Sequence, residues 1–260
     1  MKRNAPQDAP ASADPPCGRA RVAFFGGSFD PPHLGHLAIA RAARNALRLD
    51  RVLFAPVGAQ PLKPAGSTAA FRDRLTMTEL AIAGEPGFEI SLADAPAPAG
   101  QPNYTLETLR ILRAGLPVHG CLFCLMGADS FRSLRKWRGA ADIPFAAALI
   151  VASRPGQQLD DLACFLPQGL TLAPASPKKH LPYPPLDNAS SLDLRPYLIR
   201  NPAGEQAPFF LLPGLDVEIS ASDIRAHIRS SSPDPATSLP APVAEYIRSH
   251  ALYQACPPET

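Results

Sequence analysis

From Arg21 onward the hydrophobic and polar positions follow two alternating rhythms. RVAFFGG is a short apolar run closed by two glycines and predicts a buried strand, whereas LGHLAIARAARNAL repeats its apolar residues at helical spacing. RVLFAPV reads as a second strand, FRDRLTMTELAIAG as a second helix, FEISLAD as a third strand, and YTLETLRILRAG as a third helix ended by Gly115. VHGCLFCLMGADS and FAAALIVAS supply two further strands and PFFLLPG a last one. Two helices then follow, at ISASDIRAHIRS and around PVAEYIRSHALY. Strands alternating with helices in this way predict the α/β class: one domain on a doubly wound parallel sheet, with a short C-terminal helical part.

Composition changes this picture at two places. Thirty-two prolines among 260 residues is about twice the usual frequency, and the surplus is clustered. Residues 1–19, rich in Ala, Pro and Asp, read as a disordered extension ahead of a domain over 20–260. Residues 157–207, with many prolines and the polar PLDNASS, read as an extended excursion from that domain, with no core of their own. Twenty-five Lys and Arg against 23 Asp and Glu leave a net charge of +2, so electrostatics alone indicate neither a nucleic-acid nor a membrane partner. The longest apolar stretch, Ile143 to Ala152, is broken by Pro144 and far shorter than a membrane span. The first twenty residues lack the apolar region of a secretory signal, so a cytoplasmic location is expected. Five cysteines at irregular spacing fit reduced thiols, and Cys121 and Cys124, inside GCLFCLM, point to opposite strand faces as core residues would.

The chemistry concentrates in GGSFDPPHLGHLAIA, residues 26–40, where the first strand turns into the first helix. In an open parallel sheet that junction lies at the carboxyl ends of the strands, where such folds bind ligands. Gly26 and Gly27 let the backbone approach a phosphate closely, and the amides of the following helix start favour anions. His33 and His36 are three residues apart and share a face, so both imidazoles can donate to phosphate oxygens and stabilise charge that develops there. A turn with two capping histidines would explain each residue singly, though not the string as a whole.

The string G-G-S-F-D-P-x-H-x-G-H resembles the signature of the nucleotidyltransferase superfamily with the HxGH motif, in which both histidines contact the triphosphate of ATP. The superfamily's second signature, I-S-x-S-x-x-R, is matched at Ile219, Ser220, Ser222 and Arg225. A capping box of Ser220 with Asp223 would account for part of this second match but not for Ser222 or Arg225. The resemblance implies a Rossmann-like fold with ATP on Gly26, Gly27, Ser28, Phe29, His33, His36, Gly127, Asp129, Ser220, Ser222 and Arg225. His33, His36 and Arg225 would be the catalytic residues, the arginine meeting phosphate charge with its permanently charged fork. Mg2+ is expected with the ATP, held mainly by phosphate oxygens and water.

Within that superfamily, PNYTLETL (102–109), MGADSF (126–131), Trp137, ASRPG (152–156) and PVAEYIRSHALY (242–253) are similar to the bacterial nicotinate mononucleotide adenylyltransferases. That resemblance implies transfer of AMP from ATP to nicotinate mononucleotide, forming nicotinate adenine dinucleotide and pyrophosphate in NAD biosynthesis. The acceptor would lie on Lys63, Thr105, Leu106, Trp137, Arg138 and Arg154, with Trp137 stacked on the pyridine ring and the amides around Thr105, Leu106 and Arg138 holding the carboxylate. Read by itself, Trp137 among Arg132, Arg135, Lys136 and Arg138 fits first a basic surface helix with a half-buried indole, and next a nucleic-acid patch or a ring platform; the resemblance favours the platform and no nucleic-acid partner. Asp129 fits a ribose acceptor or the cap of the helix SFRSLRKW. Where the family usually has Pro-His-Lys or Pro-His-Arg, this chain reads Pro61, Leu62, Lys63: it keeps a cation for the mononucleotide phosphate and loses a hydrogen-bonding histidine. Arg72 and Arg74, opening the next helix, could supply further charge, although each by itself reads better as an exposed residue. Rival readings are an enzyme using nicotinamide mononucleotide or another phosphate acceptor, and a non-catalytic nucleotide sensor. YTLETL and Trp137 argue against phosphopantetheine as that acceptor, and retention of His33, His36, Ser222 and Arg225 together argues against the sensor.

Overall fold

Runs such as RVAFFGG and CLFCLMG have no polar face, so as strands they must be covered on both sides. In the computed structural model they lie side by side at the middle of a sheet, as β1 (Arg21–Gly27) and β4 (Cys121–Gly127). The structure describes residues 20–63, 66–153, 162–175, 194–213, 219–230 and 238–254; the extension read over 1–19, Arg154 and part of the expected excursion lie outside them. Between β1 and β4 come α1 (Leu34–Leu47), β2 (Arg51–Pro56), α2 (Phe71–Ile82), β3 (Phe88–Ile90) and α3 (Thr105–Ala114). After β4 follow α4 (Ala128–Ser133), α5 (Ile143–Ala146), β5 (Ala148–Ala152), β6 (Thr171–Pro174), β7 (Arg195–Arg200), β8 (Gln206–Leu212), α6 (Ala221–Arg229) and α7 (Ala241–Ser249).

The strand order is β3-β2-β1-β4-β5-β8-β7-β6, parallel from β3 to β8 and antiparallel for β7 and β6. Side chains alternate across the sheet. Ala23, Phe25, Cys121, Phe123 and Leu125 join one apolar layer with α1, while Phe24, Leu122, Cys124 and Met126 join the other with α3 and α4. Cys121 and Cys124 thus part to opposite layers as their spacing predicts, and burial, followed by the nearby charge of Asp94, pushes the Cys124 thiol up to about 12. A third cluster packs α6 and α7 on α2 through Met77, Ala81, Ile224, Val243 and Ile247, forming the expected C-terminal helical part.

Three elements differ from the sequence reading. The excursion contributes β6 and β7, which extend the sheet beyond β8. Proline and half-exposed side chains disguised them: the Pro196 carbonyl accepts from Ala175 N at 3.1 Å, so the N–H that proline lacks faces the end of the outermost strand. FEISLAD is a strand only over Phe88–Ile90, because the chain turns outward at Leu92, which is 60% exposed. The first residues of FAAALIVAS close the short α5, and only the fully buried Ala148–Ala152 pair as a strand.

Candidate active site

From β1 the chain runs outward to β2 and β3, and from β4 it runs the other way to β5. The carboxyl ends of β1 and β4 therefore border the crevice where the winding reverses, the ligand position of open α/β sheets. Gly26 and Gly27 end β1, and Gly127 ends β4 as the N-cap of α4. A Cβ on Gly26 would lie 2.6 Å from the Phe24 ring and 3.5 Å from Asp94 Oδ2, so no larger residue fits this approach. Phe29 takes a left-handed backbone (φ 46°) and is held there by a ring 1% exposed, packed edge-on against Phe25 at 5.6 Å and His36 at 5.0 Å.

The two histidines open α1, His33 as N-cap and His36 three residues into the helix. Their rings lie 3.7 Å apart between centroids, and the backbone N–H of His33 donates to His36 Nδ1 at 3.2 Å. A neutral His36 consequently carries its proton on Nε2, a donor whose direction the helix start fixes. His33 is buried and His36 half-buried.

Around this helix start the chain gathers charges from distant segments. Arg225 on α6 donates to the Asp30 carbonyl at 2.6 Å and to Ser222 Oγ at 3.2 Å, and its guanidinium is 4.0 Å from Asp30 Oδ2. The two signature strings therefore meet in space. Asp30 also accepts the amides of Thr68 and Ala69 at 2.6 and 3.0 Å and the Tyr253 hydroxyl at 2.8 Å. Lys63 Nζ donates to Ser28 Oγ at 3.0 Å, and that hydroxyl donates on to Gln60 Oε1 at 3.2 Å. Desolvation of the Lys63 ammonium, with the positive charges of Arg225 and Arg74, lowers its pKa against the pull of Asp30. Leu62, where the resembling family has histidine, is 52% exposed.

The other expected residues collect at the start of α3. Thr105 and Leu106 lie in its first turn, whose amides have no intrahelical acceptor. Arg138 places its guanidinium 4.5 Å over the Tyr104 ring and 3.9 Å from Glu107. Gly139 (φ +64°) lies against Leu106, where an added Cβ would come within 2.4 Å of the leucine side chain. Trp137 is half-buried against the α3-side core and donates Nε1 to Ser133 Oγ at 3.1 Å. Two side chains join this group to the cradle. Asn103 accepts from Ala59 N at 3.0 Å and donates to the Ala95 carbonyl at 2.9 Å; buried Asp94 accepts the Thr108 hydroxyl beneath Gly26. Burial raises the Asp94 pKa, against the lowering effect of the Thr108 hydrogen bond, and so favours the neutral carboxyl group.

Several side chains sit otherwise than the sequence suggested. Arg74 is buried at 2% exposure, and it donates to the carbonyls of Ser28 (2.6 Å), Val57 (2.8 Å) and Ala69 (3.2 Å); Arg72 is exposed as expected. The capping box read at Ser220 is not formed, since Ser220 is the N-cap of α6 without a side-chain cap bond. Asp129 lies inside the first turn of α4, whose cap is Gly127, so the helix-cap alternative does not hold. Trp137 follows a short 3-10 turn in extended backbone rather than riding a surface helix. Arg154 lies outside the described residues. Sequence reasoning passed over Asp30 and Asn103, although both stand inside strings it singled out, and passed over Arg74, Asp94 and Tyr253 as parts of the framework.

A cationic, amide-rich cradle at the switch point of a parallel sheet is the arrangement of a nucleotide-binding α/β protein. Known proteins agree with this assignment. Residues 24–227 match the family model described as cytidylyltransferase-like. A protein of Pelobacter propionicus named "probable nicotinate-nucleotide adenylyltransferase" is 33% identical over 237 residues, covering 91% of this chain and all of that one. One of the same name from a Roseiflexus species is 35% identical over 236 residues, covering 90% and 98%. Among solved structures, the Plasmodium falciparum nicotinic acid mononucleotide adenylyltransferase complexed with NaAD superposes with a TM-score of 0.64 at 15% identity, over 90% of this chain and 98% of that one, a likeness of fold. The chain belongs to the cytidylyltransferase-like family and, within it, to the nicotinate-nucleotide adenylyltransferases.

Proposed function

We propose that this chain transfers the AMP group of ATP to the 5′-phosphate of nicotinate mononucleotide, releasing pyrophosphate and forming nicotinate adenine dinucleotide. The observation that carries the reading is the 2.6 Å hydrogen bond from Arg225 to the Asp30 carbonyl, which joins both signature strings at one helix start. In the reaction an oxygen of the mononucleotide phosphate attacks the α-phosphorus of ATP, and the bond from that phosphorus to the bridging oxygen breaks. The acceptor phosphate is already ionised at neutral pH, so no base is required, and catalysis consists of alignment and charge stabilisation.

In this reading His33, His36, Ser222 and the first amides of α1 and α6 hold the triphosphate beside Gly26, Gly27, Ser28 and Phe29. Arg225 meets the charge that builds on the departing pyrophosphate, and Lys63 meets the acceptor phosphate. Gly127 and Asp129 border the adenosine, and Trp137 stacks on the pyridine while the amides of Thr105, Leu106 and Arg138 receive its carboxylate. Arg154 carries its substrate role by resemblance only. Mg2+ enters as part of the nucleotide. Among the described residues no group of three or more His, Cys, Asp or Glu is arranged to hold a metal, and the Asp30 carboxylate is engaged by two amides and Tyr253. In this reading the ion would be carried mainly by phosphate oxygens and water and would neutralise polyphosphate charge. Among the described residues no helix is long and apolar enough to cross a membrane, and the reading includes a cytoplasmic location.

The test is pyrophosphate release from ATP and Mg2+ with nicotinate mononucleotide, beside nicotinamide mononucleotide at matched concentration. Preference for the acid is expected. Preference for the amide would keep the chemistry and overturn the carboxylate pocket, while ATP binding without release on either acceptor would favour a nucleotide sensor.

A further inference from the structure

Residues 238–254 form a strap that reaches the cradle at both ends. At its start the Ser238 carbonyl accepts the backbone N–H of Leu34 at 2.9 Å, one residue past His33. At its far end the buried Tyr253 donates its hydroxyl to Asp30 Oδ1 at 2.8 Å, across 223 positions of sequence. Between these points Leu239, Val243 and Ile247 are buried with Met77, Ala81 and Ile224, which fixes the path of the strap. The family model ends at residue 227, before the strap begins.

Asp30 gives the contact its consequence. It is 5% exposed, and its carboxylate stands close to the charges of Lys63, Arg74 and Arg225. A carboxylate left to rotate there would redistribute its attraction among these three cations, and the two amides and the tyrosine hydroxyl hold it in one orientation. Burial and the Asp30 charge both raise the Tyr253 pKa, which keeps the hydroxyl protonated and a donor at neutral pH. We infer that Tyr253 is a positioning residue for the ATP polyphosphate: its hydroxyl orients Asp30, and Asp30 in turn orients Arg225. This inference rests on the function proposed above.

The test compares the full-length protein with Tyr253→Phe, which removes one hydroxyl and keeps the buried ring. Steady-state rates with ATP varied, rates with nicotinate mononucleotide varied, Mg-ATP binding by calorimetry and Tm are measured for each. A lost hydrogen bond to a charged group predicts roughly a tenfold fall in kcat/KM for ATP, with the KM for nicotinate mononucleotide unchanged. In a double-mutant cycle, Tyr253→Phe added to Arg225→Lys should cost far less than it does alone, since the tyrosine acts through the arginine. Val243→Ala loosens the same strap without touching Asp30; it should lower Tm while leaving kcat/KM for ATP at the wild-type level. Equal kinetic losses in Val243→Ala and Tyr253→Phe, full additivity with Arg225→Lys, or unchanged ATP kinetics in Tyr253→Phe would each overturn the inference. Should Tyr253→Phe fail to fold, Asp30→Asn, which removes the charge that the tyrosine orients, takes its place: a fall in kcat/KM for ATP that shrinks when Arg225→Lys is already present supports the inference, and unchanged or fully additive ATP kinetics overturn it. Wild-type protein that binds Mg-ATP without releasing pyrophosphate would sink the proposed reaction but leave the positioning role to be read from binding, where Tyr253→Phe should weaken affinity.

Discussion

The two halves of the site are built by different means. In the phosphate cradle charged side chains bond across long stretches of sequence: Arg225 to Asp30, Tyr253 to Asp30, Lys63 to Ser28 and Arg74 to Ser28. At the start of α3 the contacts are more local or made by packing: Trp137 bonds to Ser133 four residues back, Arg138 covers Tyr104, and Gly139 meets Leu106. Under the proposed function the contrast follows from what each half would hold. A polyphosphate needs converging positive charge, which the tertiary fold must bring together, whereas a flat ring with one carboxylate needs a platform and a helix start.

If that division is right, Arg225→Ala should show the largest effect: a fall of about 100-fold or more in turnover, with Tm close to wild type, because a donor aimed at developing charge is removed. Wild-type-like turnover would take Arg225 out of the mechanism. Arg74→Met should act on stability, lowering the unfolding free energy by about 3 kcal/mol as three buried carbonyls lose their partner. Urea denaturation checks it, and an unchanged midpoint would mean that the cradle is not framed by its buried arginine. On the other half, Trp137→Ala should raise the KM for nicotinate mononucleotide roughly tenfold and leave that for ATP nearly unchanged, as expected for a lost stacking surface. An effect confined to ATP would dissolve the division.

The smallest effect concerns Asp94, which lies between the halves. Its folded pKa is raised, so the folded state holds the proton more tightly than the unfolded chain does. The resulting stability is fully present below the ordinary carboxylate range and is lost as pH rises through the raised folded value. Asp94→Asn removes that loss, so its Tm relative to wild type should climb across this pH window. A difference that stays flat with pH would show that the carboxyl group does not titrate differently in the folded protein.

Legibility in the sequence tracked how local the cause was. The limits of β1 and α1 could be read directly, because a doubly buried strand and an amphipathic helix each imprint their own period. β6 and β7 were hidden, since their half-exposed residues and prolines make sense only once β8 offers a partner. Arg74 looked like any helix-opening arginine, for its acceptors are backbone carbonyls, which leave no mark on the residue types around them. Asn103 and Asp30 stood in view inside recognised strings, but their partners lie 44 and up to 223 residues away.

By itself the sequence determined the alternation of strands and helices, the helix start that carries two histidines, and the second string with its serine and arginine. Those features depend on residue type and short spacing, which the chain states outright. Only the tertiary structure decided that Arg225 would rest on the Asp30 carbonyl, that Arg74 would be buried, and that the strap would return to seat Tyr253 on Asp30. These are contacts between segments whose separation along the chain carries no periodic signal, and they exist only when the packing of α2, α6 and α7 brings their ends to one place.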